Sequence, residues 1–132
     1  MALDYDKLMS KVENDLPFNY TDADAMLYAL SIGMGTNPLD ESELDYVYEQ
    51  GVPLKTVPTL ATVLVPEMFP VGLGWDYSQI LHSEQRLHLF RPLPPAADLL
   101  INKRVVDAFD RGPQRGALIL LEAEGRLASD DT

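Results

Sequence analysis

Titratable side chains crowd most closely in His82-Ser83-Glu84-Gln85-Arg86-Leu87-His88. On an extended backbone, where side chains alternate between two faces, His82, Glu84, Arg86 and His88 would share one of them. Such a set could pass protons between imidazole and carboxylate, or hold zinc. Alternating polarity is also the pattern of a half-exposed sheet surface whose charges pair across strands, and that plainer reading is preferred. Elsewhere the chemistry is thin. The chain has no cysteine, which excludes a thiol nucleophile, a thiolate zinc site and a disulfide framework together. It also lacks a Gly-rich phosphate loop, a nucleophile elbow and a zinc-binding helix motif. Asp40-Glu41, Glu43 and Asp45 form a short acidic run of the kind that solvates a surface. Trp75 lies among glycines beside Asp76-Tyr77 and is either a ligand contact or a plug over the core.

The elements that must position these residues belong to a chain of 132 residues with 46% hydrophobic content, enough for one core. Ten Lys and Arg against 21 Asp and Glu give a net charge of −11. That balance argues against nucleic acid or an anionic membrane as partner, because phosphate binding needs clustered positive charge. The longest apolar run, Val57 to Val65, is too short to span a bilayer. The acidic N-terminus has no signal-peptide pattern, and Ser129-Asp130-Asp131-Thr132 carries no peroxisomal address. The expectation is a soluble intracellular protein, and the missing cysteines fit a reducing compartment.

Thr21-Asp22-Ala23-Asp24 reads as a helix start, with Thr21 capping and Asp24 reaching back. Ala23, Met26, Leu27, Leu30 and Met34 follow at helical spacing and predict a buried stripe, with Gly33 and Gly35 as the stop. Residues 16–20 could form an edge strand, and Leu44 to Gln50 could be helix or strand. Val57 to Pro66 is equally open: its β-branched residues favour a strand, its early proline and all-round apolarity a helix. Ile80–Phe90, Leu99–Phe109 and Ala117–Leu127, punctuated by Pro92-Leu93-Pro94-Pro95 and Asp110-Arg111-Gly112-Pro113, predict an antiparallel meander. Helices first and strands after them indicate an α+β domain.

Five stretches, taken in order, resemble the N-terminal half of hydratase 2, the MaoC-like (R)-specific enoyl-CoA hydratase. They are Tyr20-Thr21-Asp22-Ala23-Asp24 running into Leu27-Tyr28-Ala29-Leu30-Ser31-Ile32-Gly33, then Leu44-Asp45-Tyr46-Val47-Tyr48-Glu49, then Val57-Pro58-Thr59-Leu60. Leu81-His82-Ser83-Glu84-Gln85 and Arg91-Pro92-Leu93-Pro94 complete the set, and order and spacing agree from about residue 10 to the end. Ala23, Ser83 and Ala97 depart from the family's usual arginine and two glycines, as in a divergent member.

The resemblance implies a hot-dog fold, one half of a double hot-dog, in which an antiparallel sheet wraps a central helix at about residues 57–68. It implies strands at 80–90, 99–109 and 116–127, with 16–20 as a further one. It also implies an absence. The family's catalytic motif, Gly-Asp-x-Asn-Pro-Leu-His, belongs to the second unit, where its Asp and His activate water. Gly35-Thr36-Asn37-Pro38-Leu39-Asp40 looks like a degenerate counterpart with one residue fewer and Asp40 in place of the histidine. No catalytic residue is therefore expected in this chain. A further strand after residue 127 is expected by the same resemblance, so residues 1–132 would be a single unit lacking its last strand and the catalytic second unit.

The first unit of such a hydratase accommodates a bulky acyl group. Leu64, Met68, Phe69 and Trp75 are the candidates to line an acyl tunnel, and Arg91, ahead of Arg86, Lys103 and Arg104, is the candidate for coenzyme A phosphates. No cofactor and no metal are implied, since the substrate itself carries coenzyme A. The implied partners are the catalytic hot-dog half, in the same chain or as a separate subunit, and an acyl-CoA, within a dimeric assembly of double hot-dogs. The implied compartment is the cytoplasm in a bacterium or the peroxisome in a eukaryote. The alternatives are a non-enzymatic hot-dog module that binds acyl thioesters or serves assembly, and, more remotely, a thioesterase with Glu67 as its carboxylate.

Overall fold

The computed structural model describes residues 4–50, 53–65, 72–73 and 75–129. Its elements run α1 (Tyr5–Met9), β1 (Val12–Tyr20), α2 (Asp22–Ser31), α3 (Glu41–Val47), short 3-10 turns at Pro58–Val63 and Tyr77–Gln79, β2 (Ala97–Asp110) and β3 (Ala117–Leu127). The three strands form one sheet in the order β1-β2-β3. The chain divides into two compact units, one drawn from Met1–Pro17, Val65–Gln85 and Leu99–Thr132, the other from Phe18–Leu64 and Arg86–Asp98.

In the first unit, β2 and β3 pair antiparallel from Leu99↔Leu127 to Asp110↔Ala117. The hairpin is legible residue by residue: Leu99, Ile101, Lys103 and Val105 alternate inward along β2. The register then slips between Val105 and Asp107. Without that bulge the period of two would turn Ala108 to solvent; with it, Val105 and Ala108 both reach the core. There they pack with the fully buried Leu8 of α1 and with Met9, Leu73, Trp75, Ile119 and Leu121. Asp4 caps α1 by accepting the Lys7 N–H at 3.0 Å. Within β1, Asp15 takes φ 55°, a left-handed conformation that aspartate tolerates better than most residues. The Asn102 side-chain oxygen accepts the Asp15 N–H at 2.9 Å, and Arg126 donates to its carboxylate at 2.5 Å.

In the second unit, α2 begins with the expected reciprocal cap. Thr21 accepts the Asp24 N–H, and Asp24 accepts the Thr21 N–H at 2.8 Å. Its buried side is not the expected stripe. Ala25 and Ala29 are buried, whereas Leu27 is 66% and Leu30 53% exposed. Two small residues one turn apart let the helix backbone come close to its surroundings, and the leucines fall on another face. After α2 the chain turns through Gly33 and Gly35, both at positive φ. Gly35 is required twice over, since a Cβ there would also lie 3.1 Å from Val47 of α3. Leu44 to Gln50, open between helix and strand in sequence, falls mainly within α3, which starts at Glu41 because Asp40 caps it through the Ser42 N–H.

The helix expected at about 57–68 is a six-residue 3-10 turn, Pro58–Val63, in the described residues; Met68 lies outside them. Leu60 and Leu64 are buried, but Val63 is 57% exposed, so the segment is not enclosed on every side. The strand expected at 80–90 is absent among the described residues. Its backbone joins no ladder, and Leu81 and Phe90 are nearly bare at 89% and 87% exposure. Alternating polarity favours an extended backbone, but a strand also needs a neighbour to bond.

Candidate functional site

The loop Gly35–Asp40, which resembles a degenerate form of the family's motif, is built as a helix connector. Thr36 Oγ1 donates to the Gly33 carbonyl, and the Asn37 side chain accepts the Leu39 N–H at 3.1 Å. Asp40 accepts the Ser42 hydroxyl at 2.6 Å and its N–H at 3.0 Å, which holds its carboxyl below the ordinary aspartate range. Glu43 accepts the Gly35 N–H at 2.8 Å. The Asp40 carboxylate, so committed to Ser42, is a charged cap, poorly suited to exchange protons near neutral pH.

The two histidines are engaged elsewhere. His82 Nε2 lies 3.0 Å from the Glu84 carbonyl oxygen, and the His88 ring sits edge-on to Phe90 with centroids 4.6 Å apart. His82, Glu84, Arg86 and His88 are all exposed on the 80–90 segment, which forms no strand among the described residues. Without a ladder to fix alternate side chains on one face, the acid–base or zinc arrangement is not assembled there. Among the described residues, no group of three His, Asp or Glu could hold a metal ion, and no helix is long and apolar enough to cross a membrane.

The acyl-lining candidates divide. Leu64 is buried in the second unit. Trp75 is half-buried in the first, packed against the Leu8–Val105–Ala108 cluster. Met68 and Phe69, like Glu67, lie outside the described residues. Arg91 is exposed; Lys103 pairs with Glu13 at 2.7 Å and Arg104 with Glu122 at 2.5 Å. An open cavity of about 200 Å³ lies on the sheet, lined by Asn14, Asn102, Arg104 and Glu124 among others. Its polar walls do not suit a hydrocarbon chain. The Lys103–Glu13 pair was missed in sequence. Its signal was a lysine at an inward position of the Leu99-Ile101-Lys103-Val105 alternation, where a buried charge requires a partner.

Comparison with known proteins places this geometry. The model of the MFE-2 hydratase 2 N-terminal domain matches residues 18–131. A MaoC-like dehydratase from Phytophthora capsici has a similar structure (TM-score 0.72, 24% identity, 93% of this chain and 43% of that one). So has the peroxisomal multifunctional enzyme type 2 of Drosophila melanogaster (TM-score 0.68, 27% identity, 89% and 20%). The fold is thus the α+β hot-dog half found in MaoC-like dehydratases. More particularly, the chain belongs to the hydratase 2 N-terminal domain family. In sequence it is 30% identical over 127 residues to the 3-hydroxyacyl-thioester dehydratase Y of Mycobacterium tuberculosis and 26% identical over 129 residues to a probable enoyl-CoA hydratase 2 of Dictyostelium discoideum. It covers 95% and 92% of itself in these matches but spans only 42% of the length of either relative.

Proposed function

We propose that this chain is the non-catalytic, acyl-accommodating half of an (R)-specific 2-enoyl-CoA hydratase, the enzyme that adds water to a trans-2-enoyl-CoA or removes it from a 3-hydroxyacyl-CoA. The observation that carries this reading is the Gly35–Asp40 loop. In sequence it resembles a degenerate catalytic motif, and its terminal acid caps α3 while no imidazole stands among its residues. Water addition needs a base that can accept a proton, and this loop has none to offer. The acid–base pair comes from a second hot-dog half, in the same chain or in another subunit, and the complete enzyme is a dimer of double hot-dogs.

The contribution of this half is apolar volume. Each CH₂ of an acyl chain gains about 0.8 kcal/mol on leaving water, so a greasy tail can be held without catalytic groups. Leu64, Met68, Phe69 and Trp75 are the residues proposed to meet that tail, and Arg91 the one proposed to meet coenzyme A phosphate. The substrate brings its own coenzyme A, and no resident cofactor or metal takes part. Relatives named as peroxisomal in Mus musculus, Arabidopsis thaliana and Drosophila melanogaster support a peroxisomal setting if the source is eukaryotic.

The test is a split in substrate dependence. In the hydratase completed by its catalytic half, Trp75→Ala raises KM for a long-chain enoyl-CoA at least several-fold more than for crotonyl-CoA, with the folded state checked by thermal melting. Equal effects on both substrates contradict an acyl-holding role.

A further inference from the structure

The helix α2 carries a second apolar face that neither the core nor the proposed acyl site uses. Ala25 and Ala29 bury the helix, while Ala23, Leu27 and Leu30, spaced four and three residues apart, form a separate exposed ridge. Leu27 is 66% and Leu30 53% exposed, and Ile32 at the C-cap is 51% exposed. At 3.6 residues per turn, Asp22 and Asp24 fall about 100° to either side of that ridge. Acidic α3, with Glu41, Glu43 and Asp45 behind its Asp40 cap, packs against the same helix. From Phe18 to Leu64 the one basic residue is Lys55, and it is already paired with Asp45 at 2.6 Å. The second unit as a whole sets eight carboxylates against Lys55, Arg86 and Arg91, so the ridge stands in a net negative field.

We propose that the Ala23–Leu27–Leu30 face of α2 is a docking site for a partner polypeptide whose contact surface is apolar at its centre and basic on both flanks. Two leucines exposed on a well-capped helix supply the apolar contact, and the flanking carboxylates select the partner's charge. A second copy of this chain is the wrong occupant. It would bring the same carboxylates against themselves, and each copy carries a net charge of −11. The inference does not rest on the acyl-holding reading, and either can fail alone.

The probe is an 18-residue amphipathic Leu/Lys peptide titrated into the full chain, followed by amide chemical shifts, beside a Leu/Glu peptide of equal length. Expected are shifts confined to α2 and α3, a loss of affinity of at least tenfold in Leu27→Ser/Leu30→Ser, a further loss in Asp22→Asn and in high salt, and no binding of the Leu/Glu peptide. If the double variant loses its helix signal, Leu27→Gln replaces it and should still weaken binding at least threefold. Undiminished binding by these variants, equal binding of the anionic peptide, shifts scattered over the molecule, or a dimer dissolved by the leucine changes would overturn the proposal.

Discussion

At the scale of single residues, carboxylates bonded to nearby donors recur. Asp24 is held below the ordinary aspartate range by the Thr21 N–H and hydroxyl, Asp40 by the Ser42 hydroxyl and N–H, and Asp76 by those of Ser78. Each bond favours the charged form in the folded state only. A group with its folded pKa depressed contributes stability above its unfolded value, near 4 for aspartate, and loses it as pH falls through the folded value. The melting temperature should therefore drop as pH is lowered below about 4. Asp24→Asn, which cannot titrate, should lower stability at neutral pH but match the parent chain near pH 2; an offset that stays constant with pH would contradict the capping role. A different residue-scale knot lies at Pro94. Its carbonyl accepts the buried Tyr20 hydroxyl at 2.6 Å and the Thr56 hydroxyl at 3.0 Å, so two segments of the second unit converge on the proline corner.

At the scale of elements, the connection from α2 to α3 depends on Gly35. Its φ of 77° disfavours any Cβ, and Val47 stands 3.1 Å from where one would lie. Gly35→Ala should cost about 1–3 kcal/mol in chemical denaturation. Gly116→Ala, at φ 66° with nothing near, should cost less, because strain alone acts there. Equal costs would mean that Val47 moves aside freely. The cap of α2 and the β2–β3 hairpin were readable in sequence because their signals are local: Thr21 and Asp24 sit three residues apart, and β2 alternates toward a turn at Gly112. What the sequence concealed is what distant residues decide. The face of α2 that turns inward is set by how closely its surroundings approach, and Ala25 and Ala29 won over Leu27 and Leu30. Ile80–Phe90 had the composition of a strand but not a neighbouring ladder among the described residues. Pro58–Val63 kept the helical hand expected of it yet closed only a short 3-10 turn. Of the site, the missing imidazole was legible because an absent residue type needs no geometry. The tying of Asp40 into a cap also follows local spacing, but the burial of Leu64 and Trp75 in two different units does not.

At the scale of the whole molecule, a net charge of −11 and a hot-dog architecture accompany a Gly35–Asp40 loop that holds no imidazole. Under the proposed function, a chain with this charge would repel free coenzyme A phosphates at long range, so substrate capture would draw on cations placed locally or supplied by the proposed catalytic half. Division of labour between two halves is the claim on which the functional reading stands. It is tested most directly by following crotonyl-CoA hydration with this chain alone, with the catalytic half alone, and with both. Expected are no turnover by this chain above the buffer rate, and faster turnover of a long-chain enoyl-CoA by the two together than by the catalytic half alone. Hydration by the isolated chain, lost in Asp40→Asn, would contradict it.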